Sequence, residues 1–153
     1  MEDPILGYDF SSFLDRLAAF FEAGDLQSLA AHCVMPLPVY LGGSLMVLGS
    51  RDVAAEALGH LRAMVTAQNM AQVRATIDAV ELPVSQQQSL YATWTYTDTN
   101  GAVIGRSKVR YVLGLRPFEA CPQVHLVHYI QTDFTDLANQ MPFSAHGSEN
   151  QEH

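Results

Sequence analysis

QSLYATWTYTDTNGAVIGRSKVRYVLGLRPFEACPQVHLVHYIQTD, residues 88–133, decides the fold. It reads as three long strands in succession, Ser89–Thr97, Val103–Leu115 and Val124–Asp133. Two turn-rich gaps separate them, Asp98-Thr99-Asn100-Gly101 and Arg116 to Pro122. In the first strand Leu90, Ala92, Trp94 and Tyr96 share one side, and Ser89, Thr93, Thr95 and Thr97 share the other with Tyr91. In the second, Val103, Val109, Tyr111, Leu113 and Leu115 oppose Arg106, Lys108 and Arg110. Such alternation predicts a half-buried antiparallel sheet. Gly105 and Gly114 are placed where bulges or bends would let it curl. The third strand is apolar on both sides: Leu126 and Ile130 fall in phase with His128, Val127 and Tyr129 with His125. A strand apolar on both faces needs cover on both, which predicts a partner subunit outside.

Upstream the chain is helical. Ser12 and Asp15 have the spacing of a capping box, and Phe10, Phe13, Leu14, Leu17, Phe20 and Phe21 recur at helical period. Gly24 ends that helix, and Asp25 caps a shorter one with Leu26, Leu29, Ala30 and Cys33 on its face. Met35-Pro36-Leu37-Pro38 forbids further helix. Val39–Leu41 and Leu45–Leu48 flank Gly42-Gly43-Ser44 as a small hairpin. Ser50 caps a third helix, Arg51 to about Ala67, whose face is Val53, Ala57, Leu58, Leu61, Met64 and Val65, leaving His60 and Arg62 in solvent. A strand over about 71–82 completes the set.

Composition narrows the function. With 153 residues, 48% of them hydrophobic and 16% charged, the chain suits one globular α+β domain over 1–153, its core at about 9–134 and a polar, flexible tail at about 136–153. A net charge of −8 argues against nucleic acid or an anionic membrane as partner. No apolar run reaches the roughly 18 residues of a membrane span. The acidic start Met1-Glu2-Asp3-Pro4 is unlike a secretory signal, and Cys33 and Cys121 are isolated thiols, so the cytoplasm is expected.

The order of elements, the Gly-Ser-Arg-Asp-Val-Ala-Ala-Glu-Ala-Leu run at 49–58, the Trp94…Gly101…Arg110-Tyr111-Val112 meander and the closing Val124–His128 strand carry a resemblance. Over about 9–134 the chain resembles the nuclear-transport-factor-2-like (NTF2-like) superfamily, and within it the SnoaL-like proteins of cystatin-like fold. That implies an α+β cone: three N-terminal helices packed on a strongly curved mixed sheet. It implies little about activity, because the fold hosts dehydratases, isomerases, cyclases, hydrolases and plain binding domains. Isomerase-like members place a catalytic aspartate near the first short strand, where this chain has Met35–Tyr40 and no carboxylate. Dehydratase-like members use an Asp–His pair, for which this chain offers His128 with Asp78.

His128, in phase with Leu126 and Ile130, is expected inside the cone as a general base or as a core histidine held by one hydrogen bond. Asp78 falls in phase with Arg74 and Thr76 outside, unless a bulge turns it in. Trp94, Tyr96 and Tyr111, with Tyr40, Phe20 and the other phenylalanines of the first helix, are expected to line a pocket for a small hydrophobic molecule or to be plain core. His125 and His128 point to opposite faces, so no metal pair is expected, and no cofactor fingerprint is present. Two functions stand: a cofactor-independent lyase, isomerase or cyclase using His128, and a non-catalytic ligand-binding or assembly domain. A homodimer through Val112, Val127 and Tyr129 is expected in either case.

Overall fold

The computed structural model describes residues 9–114 and 122–134. Leu115, Cys121, the second turn-rich gap up to its last residue and the tail lie outside the described residues. Helix α1 (Phe10–Ala23) starts one residue after Asp9, whose carboxylate accepts from the Ser12 N–H at 3.0 Å and from its hydroxyl at 2.7 Å. The N-cap is therefore Asp9, and the box expected at Ser12 lies already inside the helix. Gly24 ends α1 at φ 80°, a left-handed conformation that glycine takes without steric cost. Asp25 caps the short α2 (Leu26–Ala30) and Ser50 caps α3 (Arg51–Thr66).

Strands β1 (Leu37–Leu41) and β2 (Ser44–Leu48) form the hairpin around Gly42-Gly43. They continue into β3 (Met70–Val80), β4 (Gln87–Asp98), β5 (Val103–Gly114) and β6 (Gln123–Thr132). The sheet runs β2-β1-β6-β5-β4-β3, parallel at β1–β6 and antiparallel elsewhere. This is an α+β cone, with the helices against one face of a mixed six-stranded sheet.

Two contacts pin helices to each other and to the sheet. Arg62 of α3 donates Nε–H to the Phe21 carbonyl and an Nη2 hydrogen to the Glu22 carbonyl, each at 2.8 Å. It satisfies acceptors at the C-terminus of α1 and sets a cation at the negative end of its dipole. Arg62 is thus a clamp, where the sequence placed it in solvent. The Glu22 carboxylate takes the Val73 N–H at 3.0 Å, satisfying a donor on the edge strand β3. On α3 Ala57, Leu61 and Val65 are buried and Leu58 and Met64 pack against the core, as expected, while Val53 is 37% exposed and Ala54 is buried in its stead.

The bends come from β-bulges, one of them at Gly105 as expected, since Tyr96 pairs with Gly105 but Thr97 pairs with Val103, and one just before Gly114. Register shifts fall at Met70/Gln72, Ile77/Ala79, Tyr96/Thr97, Lys108/Val109 and Val112/Leu113. Gly105 and Gly114 also make room. A Cβ on Gly105 would lie 2.9 Å from the Phe134 ring, and one on Gly114 would collide with the His125 imidazole.

Candidate functional site: an apolar cavity with tyrosine hydroxyls

Apolar helix faces laid on a curved sheet leave a space where the facing residues are small. Ala54 and Ala57 of α3 are such residues, and an internal cavity of about 90 Å³ opens beneath them. Leu17 and Phe21 of α1, Leu29 of α2 and Leu61 of α3 form the rest of the roof. Val39 and Leu41 of β1 and Met46 and Leu48 of β2 form one wall. The floor is Trp94 and Tyr96 from β4, Val109 and Tyr111 from β5, and Val124, Val127 and Tyr129 from β6.

The polar groups here are few and paired in one direction. The Trp94 indole Nε1–H donates to the Tyr111 hydroxyl at 2.8 Å between two buried side chains. Phe21 meets both Trp94 and Tyr96 edge to face, at ring-centroid distances of 6.3 and 5.9 Å, and Phe134 meets Tyr96 at 5.2 Å. These contacts fix the rings, since edge-to-face aromatic pairs have a preferred geometry. Burial holds the Tyr96 and Tyr111 phenols well above their ordinary pKa, reinforced in each by the neighbouring Tyr129, and the Trp94 hydrogen bond offsets part of this at Tyr111. Burial pushes Tyr129 up to about 12, and the Cys33 thiol at the cavity wall also to about 12. All four groups are neutral at physiological pH. Among the described lining residues there is no histidine, carboxylate, lysine or arginine. Among the described residues no cluster of three or more His, Cys, Asp or Glu side chains could hold a metal ion.

Of the residues singled out from sequence, Trp94, Tyr96 and Tyr111 lie on the cavity floor, and the other four lie elsewhere. His128 is on the opposite face of the sheet. Val127 and Tyr129 point inward beside it, and the His128 ring stands against Tyr40 at 5.8 Å. The reason is a bulge. Val112 pairs with Leu126 but Leu113 pairs with Val124, so the extra residue His125 reverses the alternation along β6. Tyr40 follows His128 outward, because Tyr40↔His128 is a register pair of the parallel β1–β6 ladder, and it is 39% exposed. Phe20 packs on His32 at 5.7 Å, and its neighbour Phe21 takes the cavity position. Asp78 sits at the expected bulge but stays exposed, accepting from the Thr93 hydroxyl on the outer face. The interface residues Val127 and Tyr129 are likewise corrected to the inside, and Val112 remains outside. The sequence reading missed Cys33, Tyr129 and the alanines of α3, while Phe21 is one of the helix-one phenylalanines expected at the cavity. Only the alanines carried a signal, as small residues on an otherwise large apolar face.

Solved structures share this fold over most of their length. Aln2 from a Streptomyces species is 22% identical with a TM-score of 0.60, covering 86% of this chain and 94% of that one. A protein from Novosphingobium aromaticivorans described as NTF2-like with a cystatin-like fold is 11% identical, TM-score 0.59, over 79% and 78% of the two chains. The fold is NTF2-like. ActVI-ORFA from Streptomyces coelicolor shares the NTF2-like frame at 15% identity and TM-score 0.59, over 80% of this chain and 91% of that one. No protein-family model matches the sequence, and no curated protein does. At these identities the likeness is one of fold, and the chemistry must come from the cavity itself.

Proposed function

We propose that the chain is a binding domain that takes one small hydrophobic molecule into the cavity between helices and sheet. The observation that carries this is the lining: apolar side chains, with tyrosine hydroxyls and one thiol that burial keeps neutral. Burying apolar ligand surface there contributes on the order of 25 cal/mol per Å². A cofactor-independent lyase, isomerase or cyclase would need a group that takes up a proton near neutrality. His128, the base the sequence offered, faces away from the cavity, and this favours binding over catalysis.

We also infer a homodimer through the outer face of the sheet. Ile130 is 49% and Tyr40 39% exposed there, beside the half-buried Leu126, His128 and Val112. Exposed apolar groups gathered on one face mark contact surfaces. The described helices lack any segment long and apolar enough to cross a membrane.

Thermal melting against a panel of neutral aromatic compounds tests the binding reading. A compound present at a hundred times its Kd stabilises by about 2.7 kcal/mol, which raises Tm by roughly 5–10 °C for a domain of this size. A panel that leaves Tm unmoved at millimolar concentration refutes the reading.

A further inference from the structure

An indole N–H can only donate. The 2.8 Å bond from Trp94 to Tyr111 therefore uses the Tyr111 oxygen as acceptor and leaves the phenolic hydrogen to be placed. Among the described residues no acceptor takes that hydrogen, and Tyr111 lines the cavity. Accepting one hydrogen bond polarises a hydroxyl and strengthens the bond it donates. Tyr96 and Tyr129 also line the cavity, but neither receives such a bond among the described residues. We propose that Tyr111, aligned by Trp94, is the specificity-determining donor of the site, binding a carbonyl oxygen of an uncharged aromatic or alicyclic ligand. The proposal rests on the binding reading above and narrows it. A carboxylate of the same shape is rejected, because it would lose its hydration with no cation among the described lining residues to replace it.

Three probes of one shape separate the possibilities: acetophenone, α-methylstyrene, which replaces the carbonyl oxygen with CH₂, and benzoate. The chain has a single tryptophan, so the Trp94 indole N–H gives one resolved signal in a ¹H–¹⁵N spectrum beside the proposed anchor. Acetophenone is expected to shift it saturably with about threefold to tenfold higher affinity than α-methylstyrene, the range of one neutral hydrogen bond. Benzoate is expected to bind at least tenfold more weakly than acetophenone. Tyr111→Phe is expected to bring acetophenone down to the affinity of α-methylstyrene. The double variant Trp94→Phe/Tyr111→Phe leaves no orphan indole donor. Followed by saturation transfer to the probe, it should show the same loss if the single variant folds poorly.

Equal binding of acetophenone and α-methylstyrene overturns the role of Tyr111 and leaves the apolar binding site standing. A carbonyl preference that survives Tyr111→Phe and vanishes in Tyr96→Phe overturns the assignment to Tyr111. Benzoate binding as tightly as acetophenone overturns the charge selection. Binding of none of the three overturns this proposal and the binding reading together.

Discussion

Tyr40 and His128 stand edge to face, ring centroids 5.8 Å apart, across the parallel β1–β6 pair and on the side of the sheet away from the cavity. The pairing makes His128 part of the outer surface. His128→Gln should therefore leave the affinity for a neutral aromatic probe unchanged. Its cost in stability should be about 1 kcal/mol or less, the scale of an aromatic contact at a half-exposed site. Urea denaturation and probe titration of the same sample read both quantities; a tenfold loss of probe affinity with intact folding would restore His128 to the site.

Ala57→Leu should fill the cavity from the α3 side. Ala57 is buried and lines the space, so added methyl groups enter void that a ligand would otherwise occupy. Probe binding should fall at least tenfold, while the melting temperature holds or rises. A variant that binds as well as the parent would mean that ligands sit elsewhere.

Arg62→Met keeps a long apolar stem and removes two charge-assisted hydrogen bonds to the end of α1. The expected loss is about 2–3 kcal/mol in chemical denaturation. Arg62→Lys should recover only part of it, since an ammonium lacks the planar fork that reaches two successive carbonyls. Full recovery by lysine would reduce the clamp to a simple charge at the helix end.

Alkaline pH should destabilise the fold in a defined order. Cys33 has a folded pKa of about 12 against an ordinary 9.0, so the unfolded chain loses that proton first. Stability from this group is fully present below about pH 9 and is lost as pH rises toward 12. The buried tyrosines, raised from 10.0, have the same sign and act from about pH 10 upward. Urea midpoints measured from pH 7 to 11 should fall above pH 9, and Cys33→Ser should delay the onset to about pH 10. An onset unchanged in that variant would exclude the thiol as its source.

Leu126→Glu places a charge on the outer face opposite Val112 without touching the cavity floor. If two copies meet there, light scattering should show dimers for the parent and monomers for the variant at micromolar concentration. A parent that is already monomeric removes the dimer from consideration.

The sequence disclosed the fold because most signals agreed with one another. Asp25, Ser50 and Gly24 punctuate the helices as their side chains require, and in β4 the run Leu90, Ala92, Trp94, Tyr96 keeps strict alternation through the core. The site was half legible for one reason: β6 is apolar in both phases. Nothing in Val124-His125-Leu126-Val127 tells which residue is the bulged one, and a shift by one exchanges the faces. Phe20 and Phe21 pose the same problem on a helix, where neighbours 100° apart both border the apolar stripe. The Arg62 clamp was hidden because its acceptors are main-chain carbonyls some forty residues away, which no side-chain pattern announces.

That clamp bears on how such a frame can change its contents over time. Its bonds end on the main-chain carbonyls of residues 21 and 22, which any amino acid at those positions would supply. The spacing of α1 and α3 is therefore held independently of the side chains that look down into the space, those of Ala54, Ala57 and Leu61 among them. On the binding reading proposed above, substitutions at those positions would exchange one guest for another while the rafters stay in place, so that cargo and architecture would be free to evolve separately.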